Sequence, residues 1–340
     1  MNKQALRADG LLLLTAGIWG FGFVAQRSGM DYVGPFTYNG IRFILGSLSL
    51  LPLILYRRAK GQGLGLGQAA TPGVGRGRKV LAALSAGTCL FIAVALQQLG
   101  ILFTTVGNAG FITGLYVVLT PIFGIFLGRK TGLPTWIGAV FTLTGLYFLS
   151  AAGHLGVNPG DILMMFSAVF WTCHVLLIDR LVQHIDPIQL SAGQFAFCGI
   201  YSLTGVFLLE PFVALWADIL VPGYSTTIIW KTVPELIARM GSGRLAPSQI
   251  INGLIPILYG GLASVGIAYT LQTVAQKNAP PAHATIILSL EGLFAALGGM
   301  LLLGEKPGPW TLLGFVLMLC GMLTTQWDVI GAPIRGRRKQ

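Results

Sequence analysis

Apolar residues run along this chain in long blocks rather than in amphipathic stripes. Ten charge-poor runs, bounded by charge, proline or glycine clusters, cover residues 9–29, 35–56, 80–100, 104–128, 133–152, 161–180, 188–209, 250–273, 282–304 and 308–328. Each approaches the ~20 apolar residues with which an α-helix crosses about 30 Å of hydrocarbon. The third and fourth have the least distinct edges. None alternates with the period of a barrel strand, and an unpaired backbone amide in hydrocarbon costs several kcal/mol, so helices are the expected form. The pattern predicts an all-α polytopic membrane protein with ten transmembrane helices. The first run has Lys3 and Arg7 on its flank, as a signal peptide would. It is long and lacks a clear small-residue cleavage site, and it is read as a retained helix.

Composition agrees with that medium: 54% of the 340 residues are hydrophobic and 10% charged, with a mean hydropathy of +0.74, far from a water-facing globule. The net charge of +11 would suggest nucleic acid in a soluble protein, so its placement matters. With a cytoplasmic N-terminus, Arg27, Lys231, Arg239, Arg244 and Lys306 fall outside and Arg42 within a helix, while every other Lys and Arg faces the cytoplasm. That bias predicts a multi-pass protein with both termini cytoplasmic. The basic charge then faces anionic membrane lipid, and a nucleic-acid partner is not expected. Cys89, Cys173, Cys198 and Cys320 all sit in apolar runs without metal-ligand spacing, which fits helix packing and predicts neither metal nor cofactor.

The chain also matches itself. One constant shift lays Asp9 on Asp161, Trp19 on Trp171, Pro35 on Pro187 and Phe43 on Phe195; a slightly larger one pairs Gly128 with Gly304, Lys130 with Lys306, Gly138 with Gly314 and Gly145 with Gly321. Two five-helix repeats are expected, residues 1–152 and 153–330, followed by a basic cytoplasmic tail at 331–340. An odd number of helices per half turns the second upside down, and inverted repeats are common among secondary transporters. Residues 61–78, rich in glycine, read as a flexible cytoplasmic linker. Residues 210–249 form an external insertion, either a surface-lying amphipathic helix at Thr226 to Met240 or a loop.

Several motifs in order and spacing resemble the EamA-type members of the drug/metabolite transporter superfamily. They are Ile18 to Phe23 in the first helix, Pro35 to Arg42 and Phe43 opening the second, Gly110 to Pro121 in the fourth, and Ser289, Leu290, Glu291 with Leu303, Gly304, Glu305 in the ninth. The resemblance implies a ten-helix protein of a bacterial-type inner (plasma) membrane, commonly a metabolite exporter, with substrate passing through a cavity between the halves. Gly292 stands where a proline usually follows the glutamate, which predicts a less bent ninth helix.

Polar and aromatic residues at mid-helix are the candidates for the path, because the medium penalises them. Glu291 lies about nine residues into its helix; it is either a proton carrier or a structural, hydrogen-bonded glutamate. Arg42 can hold a carboxylate or phosphate in its planar fork, pair with Glu291, or snorkel to the outer interface. His174, one turn after Trp171, is a second proton-coupling candidate or a packing histidine. Trp19, Trp171 and Tyr116 line a cavity or pack a core, and Gln98 and Gln272 form matched gates or ordinary interhelical bonds. Pro121 and Pro256 are helix-kink candidates.

The reading is of a secondary transporter, an exporter of a small amphipathic metabolite, amino acid or drug-like compound working by alternating access, as a monomer or homodimer. A lipid-linked or nucleotide-sugar carrier of the same fold is the main rival. An intramembrane enzyme is disfavoured by the lack of a zinc-binding His-Glu-x-x-His, of paired membrane aspartates and of a nucleophile with a base at helical spacing. A receptor or scaffold would use the bundle without a through-path.

Overall fold

A computed structural model describes residues 3–60, 75–103, 106–150, 159–209, 247–303 and 308–331. Most of the glycine-rich linker, the external insertion up to residue 246 and the basic tail beyond residue 331 lie outside the described residues. Within them the chain is helical: α1 (Lys3–Gly29), α2 (Pro35–Ala59), α3 (Arg76–Phe103), α4 (Val106–Thr113), α5 (Tyr116–Phe126), α6 (Leu133–Ser150), α7 (Pro159–Leu181) and α8 (Pro187–Leu208). Then come α9 (Pro247–Leu258), a π-helical segment (Tyr259–Tyr269), α10 (Thr270–Ala275), α11 (Pro281–Leu288), α12 (Glu291–Leu303) and α13 (Pro309–Gly331). Taking α4 with α5, α9 with the π segment and α10, and α11 with α12 as single rods gives the ten expected helices. Seven are long and apolar enough to cross a membrane on their own, and Tyr116–Phe126, Leu133–Phe148 and Leu312–Thr324 are shorter apolar helices.

Proline sets many of the starts. Pro35, Pro187 and Pro281 occupy the first turn of α2, α8 and α11, where a missing N–H costs nothing and the fixed φ suits the helix. Asp186 caps α8 by accepting the amides of Ile188 at 3.1 Å and Gln189 at 3.0 Å.

Two rods are interrupted in the same manner. Between α4 and α5 the chain tightens: the Leu115 amide donates to the Ile112 carbonyl (3.1 Å) and Val117 to Gly114 (3.0 Å). Between α11 and α12, Leu290 donates to Ile287 (3.2 Å) and Gly292 to Ser289 (3.1 Å). These short i to i−3 bonds break the α-helical ladder for two residues at each place. The last is a bond that proline at 292 could not make. Pro121 sits inside α5, past the first interruption, and Pro256 sits three residues before the π segment.

The faces are inverted relative to a soluble bundle. Large apolar side chains such as Phe126, Phe207 and Leu301 point outward, 83%, 77% and 75% exposed, while Arg42, His174, Gln194 and Glu291 are buried. That is the distribution lipid selects. Helices meet through small residues. A Cβ on Gly145 would lie 2.8 Å from the Gly314 carbonyl, and one on Gly321 2.7 Å from the Gly138 carbonyl, which brings α6 and α13 into backbone contact.

Neighbour relations recur with the halves exchanged. α1 packs on the π segment and α12, as α7 packs on α3 and on α4 and α5; α2 packs on the π segment as α8 packs on α3. α2 also meets α8, and α6 meets α13.

Candidate functional site

At mid-bundle the first helices of the two halves present tryptophans to one another. Trp19 and Trp171 lie 6.3 Å apart between ring centroids, and both meet Tyr269 of the π segment, at 4.5 Å and 5.8 Å. Each indole is anchored: Trp19 Nε1 donates to the Ser264 carbonyl (3.3 Å) and Trp171 Nε1 to Gln97 Oε1 (2.7 Å). Phe43 and Phe195 close the cluster against Tyr269 at 5.9 Å and 6.0 Å. A π segment pairs its backbone i to i+5 in wider turns and is frequent at functional sites. Here it supplies Ser264 and Tyr269.

Trp19, Trp171 and Tyr269 border a cavity walled also by Arg42, Gln26, Gln97, Gln272, Tyr116 and Glu291, with about 30 Å³ of free space. That admits a few waters at most, since one needs roughly 10–15 Å³ on this measure. A metabolite would enter only after the walls part.

Two polar arrangements face the cavity. Tyr116 Oη donates to Glu291 Oε1 at 3.3 Å. Arg42 is 2% exposed, and its guanidinium lies over the rings of Phe43 and Tyr38, 5.0 Å and 5.4 Å from their centroids. Its Nε has no hydrogen-bond partner. Cation–π contacts return about 0.5–2 kcal/mol each, against several kcal/mol for taking an ion out of water. Arg42 and Glu291 both line the cavity, yet no ion pair within 4.0 Å joins them. Arg42 is buried and does not snorkel.

The structure therefore brings Trp19, Arg42, Tyr116, Trp171, Gln272 and Glu291 to one cavity. Gln98 is fully buried outside its lining, both amide atoms unpartnered. His174 is also fully buried, behind Trp171, with Nε2 2.9 Å from Gln194 Oε1. The neighbour of Gln98 is the one that faces inward: adjacent helical residues diverge by about 100°, so only one of the pair can. Gln26, Ser264 and Tyr269 were absent from the expected set. Gln26 was within reach, because Trp19, Phe23 and Gln26 follow one face at i, i+4 and i+7.

Fold and cavity define a polytopic helical membrane protein with a small chamber at its centre, lined by aromatic rings and a few polar groups. The profile of the EamA-like transporter family matches residues 6–151 and again 158–326, and the chain belongs to that family. An "uncharacterized transporter" of Archaeoglobus fulgidus is 28% identical over 94% of this chain and 86% of its own length. The "uncharacterized inner membrane transporter YedA" of Escherichia coli is 25% identical over 95% of this chain and 92% of its own. Human "solute carrier family 35 member F6" is 22% identical over 99% and 92%. A crystal structure covering 94% of this chain and 96% of its own superposes with a TM-score of 0.65 at 16% identity, which shows the shared fold. Family and relatives are those of a membrane transporter rather than an enzyme.

Proposed function

We propose that this protein is a secondary exporter of a small amphipathic metabolite, working by alternating access of the central cavity in a bacterial-type inner membrane with both termini cytoplasmic. The carrying observation is the chamber built from both family-matching stretches, apolar and aromatic on most sides with a few polar groups converging on it. Under this reading residues 1–152 and 153–330 are inverted repeats. The recurrence of packing partners and the paired interruptions before Tyr116 and Glu291 support that. Rocking of one half against the other would open the chamber to each side in turn. Glu291, buried and held by one hydrogen bond, is the proton-coupling residue of this reading. His174 stands outside the chamber lining and would serve only through Trp171, with which it makes an edge contact at 5.8 Å.

Counterflow of labelled metabolites in proteoliposomes tests transport, and a comparison of medium and cytoplasm between overproducing and deletion cells tests direction. Accumulation inside the overproducer would contradict export. A nucleotide-sugar cargo is disfavoured because Arg42 is the only cation among the described residues lining the chamber.

A further inference from the structure

The purpose of the chamber rests on the transport reading; what it recognises rests on an asymmetry between the halves. We propose that Arg42 holds the carboxylate of a monoanionic substrate whose apolar or aromatic body lies against Trp19, Trp171 and Tyr269.

In the second half, the residue corresponding to Arg42 is Gln194, and it is closed off by His174 at 2.9 Å. The counterpart of His174 in the first half is Gly22. A Cβ there would meet only the Ser264 side chain, at 3.6 Å, an ordinary contact, so the first half has no side chain in the place from which His174 closes off Gln194. Where the second half makes a neutral closed pair, the first presents a cation with no imidazole opposite it. Arg42 is almost wholly buried, lines the chamber, has an unpartnered Nε and, among the described residues, has no carboxylate within 4.0 Å. Its two aromatic neighbours are met face to cation, and rings do not satisfy the in-plane N–H fork that matches a carboxylate. The lining fixes the rest of the ligand. A single guanidinium matches one negative charge, whereas a phosphate ester or diphosphate would bring charge that no other described lining cation could pair. The Trp19, Trp171 and Tyr269 rings offer apolar surface next to that charge.

The test uses the full chain, purified in detergent and reconstituted. Phenylacetate, indole-3-acetate and hexanoate, each beside its neutral amide, are titrated against tryptophan fluorescence and assayed for counterflow. Wild type is expected to bind at least one carboxylate ten-fold or more tighter than its amide. Arg42→Gln should erase that preference with amide binding kept, and Arg42→Lys should retain part of it. Should Arg42→Gln not fold, the Gly22→His/Arg42→Gln double variant, which copies the closed pair of the second half, carries the same expectation. Equal affinity for every carboxylate and its amide, or a preference that survives in Arg42→Gln or the double variant, overturns the proposal. Arg42-dependent binding without counterflow upholds the anion site and removes the transport reading. Counterflow of acid and amide alike, with no preference in binding, keeps transport and overturns the site.

Discussion

Tyr116 and Glu291, 175 positions apart, are joined by a hydrogen bond of 3.3 Å, and each is the first residue of the helix that resumes after a two-residue interruption. The bond thus spans the centre of the bundle and ties together the two places where its helical ladders are open. Glu291→Gln keeps an acceptor for Tyr116 but cannot carry a proton. The expected result is preserved counterflow with loss of any response to an imposed pH gradient. Tyr116→Phe removes the donor and should slow transport about ten-fold, the equivalent of ~1.4 kcal/mol and within the usual worth of one hydrogen bond. Wild-type uptake indifferent to a pH gradient would defeat the proton-coupling assignment.

Gly20 marks the tightest approach of α1 to α12. A Cβ there would fall 2.7 Å from both the Ala295 amide nitrogen and the Glu291 carbonyl oxygen, so backbone would have to move. Gly20→Ala is expected to destabilise by about 1–3 kcal/mol, the usual cost of overpacking. Gly10, with nothing within 4 Å, is the control: Gly10→Ala should match wild type or exceed it. Thermal unfolding of the detergent-solubilised variants compares them directly.

Trp171 and Gln97 form a polar pair inside an aromatic cluster, 2.7 Å apart. Trp171→Phe leaves the Gln97 oxygen buried without a donor, at a cost of about 1–3 kcal/mol. Adding Gln97→Leu should recover much of that loss, since removing both partners leaves nothing unsatisfied. A double-mutant cycle read by thermal unfolding gives the coupling, and strict additivity would show the bond contributes nothing.

Asp186 caps α8 from the loop after α7. Burial pushes its carboxyl above the usual carboxylate range, against the two α8 amides and the charges of Arg57 and Lys277, which pull it down. An acid raised on folding contributes stability that is fully present below its unfolded pKa and is lost as pH rises through the folded pKa. At neutral pH the ionised form therefore carries that cost. Asp186→Asn, which keeps the capping oxygen, is expected to match or exceed wild-type stability at neutral pH and to flatten its fall above the acid range. Asp186→Ala should lose about 1 kcal/mol through the cap itself. A melting series across pH separates the two variants.

How far the sequence reaches differs between fold and site. Trp19 and Trp171 were matched across the halves by position alone, and the structure sets both in one aromatic cluster. The pair Gln97 and Gln98 shows the opposite: both are equally polar and equally central, and only the rotation of α3 against α7 turns one toward the chamber and buries the other among its neighbours. Arg42 shows a third situation. Its charge and depth were plain, but pairing with Glu291 and exposure at the interface were both open until packing decided against them.

Hydrophobic run length, terminal prolines and small-residue spacing are local properties, and each helix satisfies its backbone within itself. The sequence alone therefore determined ten lipid-facing rods and nearly all their ends. The interruptions before Tyr116 and Glu291, the π segment and the central chamber depend on contacts between rods far apart in the chain. A helix surrounded by lipid carries no record of which neighbour will cover which face; that was decided only when the rods packed together.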